Sequence, residues 1–110
     1  MYKSGLLAVV LGFVFSIHAL GITASAGSLI TGEVRDKKSG EAIIGATVQI
    51  ENSSVATATD LDGKFSLKNI PIGKQTIVCR YLSYKTVRVP VNVRQGESIA
   101  GLEIEMEEDG

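Results

Sequence analysis

Thr57-Ala58-Thr59-Asp60-Leu61-Asp62-Gly63-Lys64-Phe65-Ser66-Leu67 reads as strand, tight turn, strand. An aspartate at the start of a turn accepts hydrogen bonds from backbone N–H groups ahead of it, which gives Asp60 its role. Gly63 has no Cβ and suits a backbone at positive φ. Beyond it, Phe65 and Leu67 alternate with Lys64, Ser66 and Lys68. That period of two marks a half-buried strand with its apolar face inward. Asn69-Ile70-Pro71-Ile72-Gly73 then closes the strand with a second turn. Pro71 cannot donate to a ladder, and Gly73 again permits an unusual backbone. Asp60, Asp62, Gly63, Phe65, Pro71 and Gly73 therefore make a structural motif, and the stretch holds no candidate catalytic group.

The same alternation extends in both directions. Upstream, Ile30, Gly32 and Val34 share one face of a strand over 29–35, and Ala46, Val48 and Ile50 share one face over 45–51. Asp36 to Gly40 reads as a polar turn, and Glu41 to Ile44 as a short apolar piece packing over a sheet edge. Downstream, 75–81 forms a strand in which Cys79 is in phase with Ile77 and Tyr81. Val87, Val89, Val91 and Val93 line one face of the next, with Arg88, Pro90, Asn92 and Arg94 on the other. Pro90 places that strand at a sheet edge or at a bulge. Leu102, Ile104 and Met106 face inward on the last strand, opposite Glu103, Glu105 and Glu107. About seven short strands at a spacing of roughly 8–12 residues predict an all-β sandwich or small barrel.

Several spaced motifs, in order, resemble one known family. Thr59-Asp60-Leu61-Asp62-Gly63-Lys64-Phe65 followed by Ile70-Pro71-Ile72-Gly73 is similar to the TDxDGxFxLxNlPxG core of the carboxypeptidase-regulatory-like domain. Gly32-Glu33-Val34-Arg35-Asp36 and Gly45-Ala46-Thr47-Val48 resemble its opening, and Tyr81-Leu82-Ser83-Tyr84 its Y-x-GY stretch, with Ser83 where the family usually has Gly. The resemblance covers residues 29–106. It implies a single seven-stranded Greek-key sandwich of the transthyretin (prealbumin-like) type. It also implies an accessory domain rather than a peptidase.

The first residues read as a cleavable signal peptide, 1–26, ahead of a sandwich domain, 27–110. Lys3 is the lone charge of a short n-region, Leu6 to Leu20 is an apolar run, and Ala24-Ser25-Ala26 is a small-residue cleavage site. A transmembrane anchor is the competing reading, but the run is shorter than the ~20 residues a span requires. Removing residues 1–26 shifts the formal charge from −1 to −2, because only Lys3 leaves. A charge so near neutral gives no reason to expect nucleic acid or an anionic membrane as partner.

Composition removes most catalytic schemes. His18, the only histidine, lies in the leader, and Cys79 is the only cysteine. A zinc site with nitrogen and sulfur ligands needs more donors than that. A serine nucleophile would lack its imidazole base. Cys79 reads as a small buried core residue. Asp60-x-Asp62-Gly63 reads as turn chemistry rather than a calcium loop, since the twelfth position from Asp60 is Pro71 and the flanks are strands. Glu103 and Glu105 form a solvated face, and Tyr81 and Tyr84, beside Arg80 and Lys85, form rim packing more readily than a sugar- or peptide-binding patch. No cofactor is expected.

By resemblance, the expected function is that of a non-catalytic periplasmic accessory or docking domain. Such domains follow the signal peptide of SusC-like TonB-dependent outer-membrane receptors, which import glycans or peptides. The expected partner is then a receptor plug and barrel, met by β-augmentation along an edge at Val87–Val93. The alternative is a free-standing exported binding or adhesion module using Asn52–Ser54 and Asp60–Gly63 as loops at one end of the sandwich.

Overall fold

A computed structural model describes residues 27–110, so the expected leader lies outside the described residues. The alternating apolar positions form seven strands. They are β1 (Leu29–Asp36), β2 (Thr47–Ile50), β3 (Ala56–Ala58), β4 (Lys64–Lys68), β5 (Gly73–Arg80), β6 (Val87–Val93) and β7 (Ser98–Met106). One sheet has the order β4-β1-β7 and the other β3-β2-β5-β6. All pairings are antiparallel except β1 with β7, which is parallel. This is the expected all-β sandwich of seven strands.

The inward faces predicted from the period of two meet in a single core. Ile30 and Val34 of β1, Val48 and Ile50 of β2, Phe65 and Leu67 of β4, Ile77 and Cys79 of β5, Val93 of β6, and Ile104 and Met106 of β7 are all buried in it. Val87, Val89 and Val91 pack against its margin. Gly32 interrupts the apolar side of β1 for a reason of space. A Cβ there would lie 2.1 Å from the Leu102 carbonyl oxygen and 2.8 Å from the Phe65 ring. Phe65, paired in register with Gly32, fills the volume the glycine leaves.

Three departures from simple alternation stand out. On β7, Ile30 pairs with Ile99 while Gly32 pairs with Leu102, so one extra residue is inserted. Gly101 at φ 73° sits in that bulge. On β5, Val78 is buried although it points away from the core; it lies between Gln49 and Arg88 on the outer face of its sheet. In the β1–β2 connection Ile43 is buried as expected, but Ile44 is half exposed, and Ala42 makes a single bridge to Arg35. Strand β2 is also shorter than 45–51, because Gly45 takes φ 79° and Ala46 hydrogen-bonds to Thr59 instead of to a neighbouring strand.

β6 is an outer edge, as Pro90 suggested. Thr76, the register partner of Pro90, turns its carbonyl toward β2, where it accepts from Glu51 N–H at 2.9 Å. Backbone groups of one residue point to the same side of an antiparallel ladder. Pro90 therefore faces outward, so its missing N–H leaves the sheet intact and interrupts the free edge midway.

The chain crosses between the two ends of the sandwich with every strand. One end carries Gly27, the β2–β3 and β4–β5 turns and the loop before β7. The other carries the β1–β2, β3–β4 and β5–β6 connections and residues 107–110. Asn52–Ser54 and Asp60–Gly63 thus lie at opposite ends, contrary to the expectation that they would share one. Strand β3 runs from the first loop toward the second, and that separates them.

Candidate functional site

The motif around Asp60 is built as its residues dictate. Asp60 Oδ1 accepts from the N–H groups of Asp62 and Lys64, both at 2.9 Å. Gly63 takes φ 75° and its carbonyl accepts from Val34 N–H at 2.8 Å, which fastens the turn to β1. A Cβ on Gly63 would meet the Val34 oxygen at 2.8 Å and the Ala42 side chain at 2.9 Å. Phe65 is 5% exposed. Pro71 accepts from Gln75 Nε2 at 3.1 Å, and Gly73 opens β5 at φ 114°. The first four residues lie at one end of the molecule or lead from it. Pro71 and Gly73 lie at the other, so the motif holds the fold rather than gathering into a site.

Two buried hydroxyls do similar work and were not singled out by sequence reasoning. Thr59 Oγ1 donates to the Ile43 carbonyl at 2.6 Å and accepts from Ala46 N–H at 2.8 Å. Ser28 Oγ donates to the Ile70 carbonyl at 2.9 Å and accepts from Ile70 N–H at 3.1 Å. Thr59 ties the end of β3 to the approach to β2, and Ser28 ties the approach to β1 to the β4–β5 turn. Only their place beside turns hinted at it.

An open groove of about 900 Å3 is lined by Asp36, Lys38, Glu41, Ile43, Tyr84 and Glu108, among others. At its base the Tyr84 hydroxyl donates to Asp36 Oδ2 at 2.6 Å. Asp36 Oδ1 accepts from the N–H groups of Lys38 and Ser39, each at 2.8 Å. The Tyr84 bond first, and then the Ser39 and Lys38 N–H groups, hold the Asp36 carboxyl down to about 2. The same bond, reinforced by burial and the Asp36 charge, pushes the Tyr84 phenol up to about 12. General acid–base groups work near the operating pH. A carboxylate and a phenol moved this far from neutrality in opposite directions are instead a fixed clasp. It joins the end of β1 to the β5–β6 loop.

The remaining candidates stay apart. The Cys79 thiol is buried, 3.6 Å from the Met106 sulfur, and burial pushes it up to about 11, so it is neutral and enclosed at pH 7. Glu103 and Glu105 are exposed on β7, in register with Glu33 and Arg35. Tyr81 and Tyr84 pack ring to ring with centroids 5.7 Å apart, while Lys85 pairs loosely with Glu107 at 3.9 Å. Among the described residues no three His, Cys, Asp or Glu side chains come together.

Comparison with known families decides the affiliation. The profile of the CarboxypepD_reg-like domain matches residues 30–110. The chain belongs to that family. The family is one of regulatory-like β-sandwiches that are commonly non-catalytic. No curated protein matches the sequence.

Solved structures share the fold of this CarboxypepD_reg-like domain at low identity. A chain of the type II cohesin–X-dockerin complex from Acetivibrio cellulolyticus is 20% identical over 72% of this chain and 56% of its own, with a TM-score of 0.60. Chlorocatechol 1,2-dioxygenase from Pseudomonas putida is 11% identical over 76% and 61%, with a TM-score of 0.62. The Bacillus anthracis TIE protein is 20% identical over 76% and 17%, with a TM-score of 0.58. The domain thus spans between about a sixth and three-fifths of these chains. The likeness concerns the sandwich alone.

Proposed function

We propose that this protein is a non-catalytic docking domain, exported to the periplasm, which forms the N-terminal part of a TonB-dependent outer-membrane receptor for glycan or peptide uptake. The observation that carries the reading is the order of the parts. A sandwich of the CarboxypepD_reg-like family starts at residue 30, directly after an apolar leader ending in Ala24-Ser25-Ala26. The natural partner is the receptor's own plug and barrel or a neighbouring envelope protein. The cohesin–dockerin structure, a protein–protein complex on a similar fold, supports a protein partner.

Two measurements test this. N-terminal sequencing of the exported protein is expected to begin at Gly27, and an uncleaved Met1 would remove the export argument. Reading the gene beyond Gly110 is expected to reach plug and barrel sequence in the same frame. A stop codon there would overturn the receptor assignment.

A further inference from the structure

The two layers of the sandwich are unequal. Four strands, β3-β2-β5-β6, pack on three, β4-β1-β7, and β3 meets β4 along one side. On the other side β6 is the strand left over. Its inward face shows this. The inward residues of β1, β2 and β4 are buried, but Val87, Val89 and Val91 of β6 are only partly covered, as are Ile99 and Leu102 of β7. The three-stranded layer lacks a strand beside β7, opposite those valines.

The backbone edges bordering this gap are free. Pro90 turns outward, so Arg88 and Asn92, two residues to either side, do so as well, and Pro90 still offers its carbonyl. On β7, the Met106 carbonyl accepts from Lys37 N–H on the β1 side, while the Glu107 carbonyl accepts from Lys85 N–H on the side away from β1. Glu105 and Glu103 therefore also turn their backbone groups away from β1. β6 starts at the pole where β7 ends, so the two strands run antiparallel. A twofold rotation about an axis along the strands keeps those directions. It lays β6 of each copy antiparallel beside β7 of the other, so that each layer runs on as three strands and then four. The valines of the two β6 strands then face one another across the axis, at the ~10 Å spacing of packed sheets.

Charge favours this pairing of edges. β5 and β6 carry Lys74, Arg80 and Arg88 with no carboxylate, and Arg94 follows; β7 carries Glu103 and Glu105 with no cation. The neighbours do not cancel the contrast. Arg88 reaches Glu51 at 3.2 Å and Glu97 follows Arg94 in its turn, which leaves two of the four cations in excess. Beside β7, Glu33 and Arg35 offset each other at 2.7 Å, and Lys85 offsets Glu107. Lys64 lies beyond β1, two strands from Glu103, or roughly a screening length away. Opposite charges on adjoining strands attract and like charges repel. Two β7 edges would bring glutamates together, and two β6 edges would bring arginine and proline together.

We infer that the β6–β7 side is a self-association surface, and that its occupant is a second copy of this chain placed by that twofold rotation. Arg88 of each copy lies beside Glu103 and Glu105 of the other, and both free edges are closed at once. This pairing is independent of the receptor assignment above.

The test produces two differently tagged forms of the full chain in one cell, one of them carrying the photoreactive residue p-benzoylphenylalanine at position 92, 100 or 66. Adducts between the two tags are expected from 92 onto residues 98–106 and from 100 onto residues 87–93, with none from 66 on the far edge. Glu103→Arg with Glu105→Arg, both at exposed positions, is expected to lower the yield from 92 by about tenfold. Adding Arg88→Glu and Arg94→Glu to the same chains is expected to restore it, which a merely misfolded variant would not allow. Adducts joining β6 to β6 or β7 to β7 would overturn the arrangement. Adducts from 92 and 100 only to other proteins, or none at all, would overturn self-association. A yield indifferent to the charge exchanges would overturn the pairing of arginine with glutamate.

Discussion

Ser83 occupies a left-handed conformation at φ 68°. An L-residue there carries a strain of roughly 1–2 kcal/mol, part of which glycine returns as extra freedom in the unfolded chain. Ser83→Gly is therefore expected to raise stability by up to about 1 kcal/mol in urea titration. Gly63→Val is expected to do the opposite, lowering it by about 2–3 kcal/mol, since it adds a positive-φ penalty to two contacts under 3 Å. The Asp36–Tyr84 bond has a pH signature with two limbs. The Asp36 carboxyl lies near 2 against an ordinary 3.8, so its stabilisation is full above about 4 and is lost as pH falls toward 2. The Tyr84 phenol lies near 12 against 10.0, so its stabilisation is full below about 10 and is lost as pH rises toward 12. Tyr84→Phe is expected to remove that residue's contribution to the alkaline limb. The acid limb becomes shallower but persists, because Lys38 and Ser39 N–H still hold Asp36. Thermal melts across pH 2–12 read both limbs. The turn at Asp60 was legible in advance because its partners lie within four residues. Tyr84 and Asp36 are 48 residues apart, and no local pattern announces a bond across that span.

At the level of elements, the period of two sufficed wherever a strand has one dry face. Phe65 and Leu67 entered the core as their spacing indicated. Phe65 also covers Gly32 across the β1–β4 ladder, so its loss would open a void beside a strand with no side chain to fill it. Phe65→Ala is expected to cost about 3–5 kcal/mol, measured by denaturant titration. A domain of this size has little more than that to lose. Where neighbours, and not the strand itself, set the environment, the period failed. Val78 is buried from the wrong side by flanking residues on β2 and β6, and the bulge at Gly101 depends on how β7 fits β1. Both depend on sheet order, which alternation within one strand does not encode.

For the molecule as a whole, Cys79 reports on opening. Its thiol is neutral and enclosed between the sheets, so alkylation by iodoacetamide at pH 8 is expected only when the sandwich opens. The labelling rate should then rise in step with the unfolded fraction through a urea series. Labelling at the rate of a free thiol without denaturant would mean that the core is breached locally. The parallel pairing of β1 with β7 has a mechanical consequence. Gly27 enters β1 at one pole, and Gly110 follows β7 at the opposite pole, yet the two strands are bonded side by side from Leu29 with Ser98 to Asp36 with Met106. Tension applied between Gly27 and Gly110 drags the pair lengthwise past each other, loading the rungs together rather than peeling them one at a time. Stretched by an optical trap at those two points, the domain is expected to rupture at higher force than when held at Gly27 and Asn69, where pulling unzips the antiparallel pairing of β1 with β4 from the Leu29–Lys68 end.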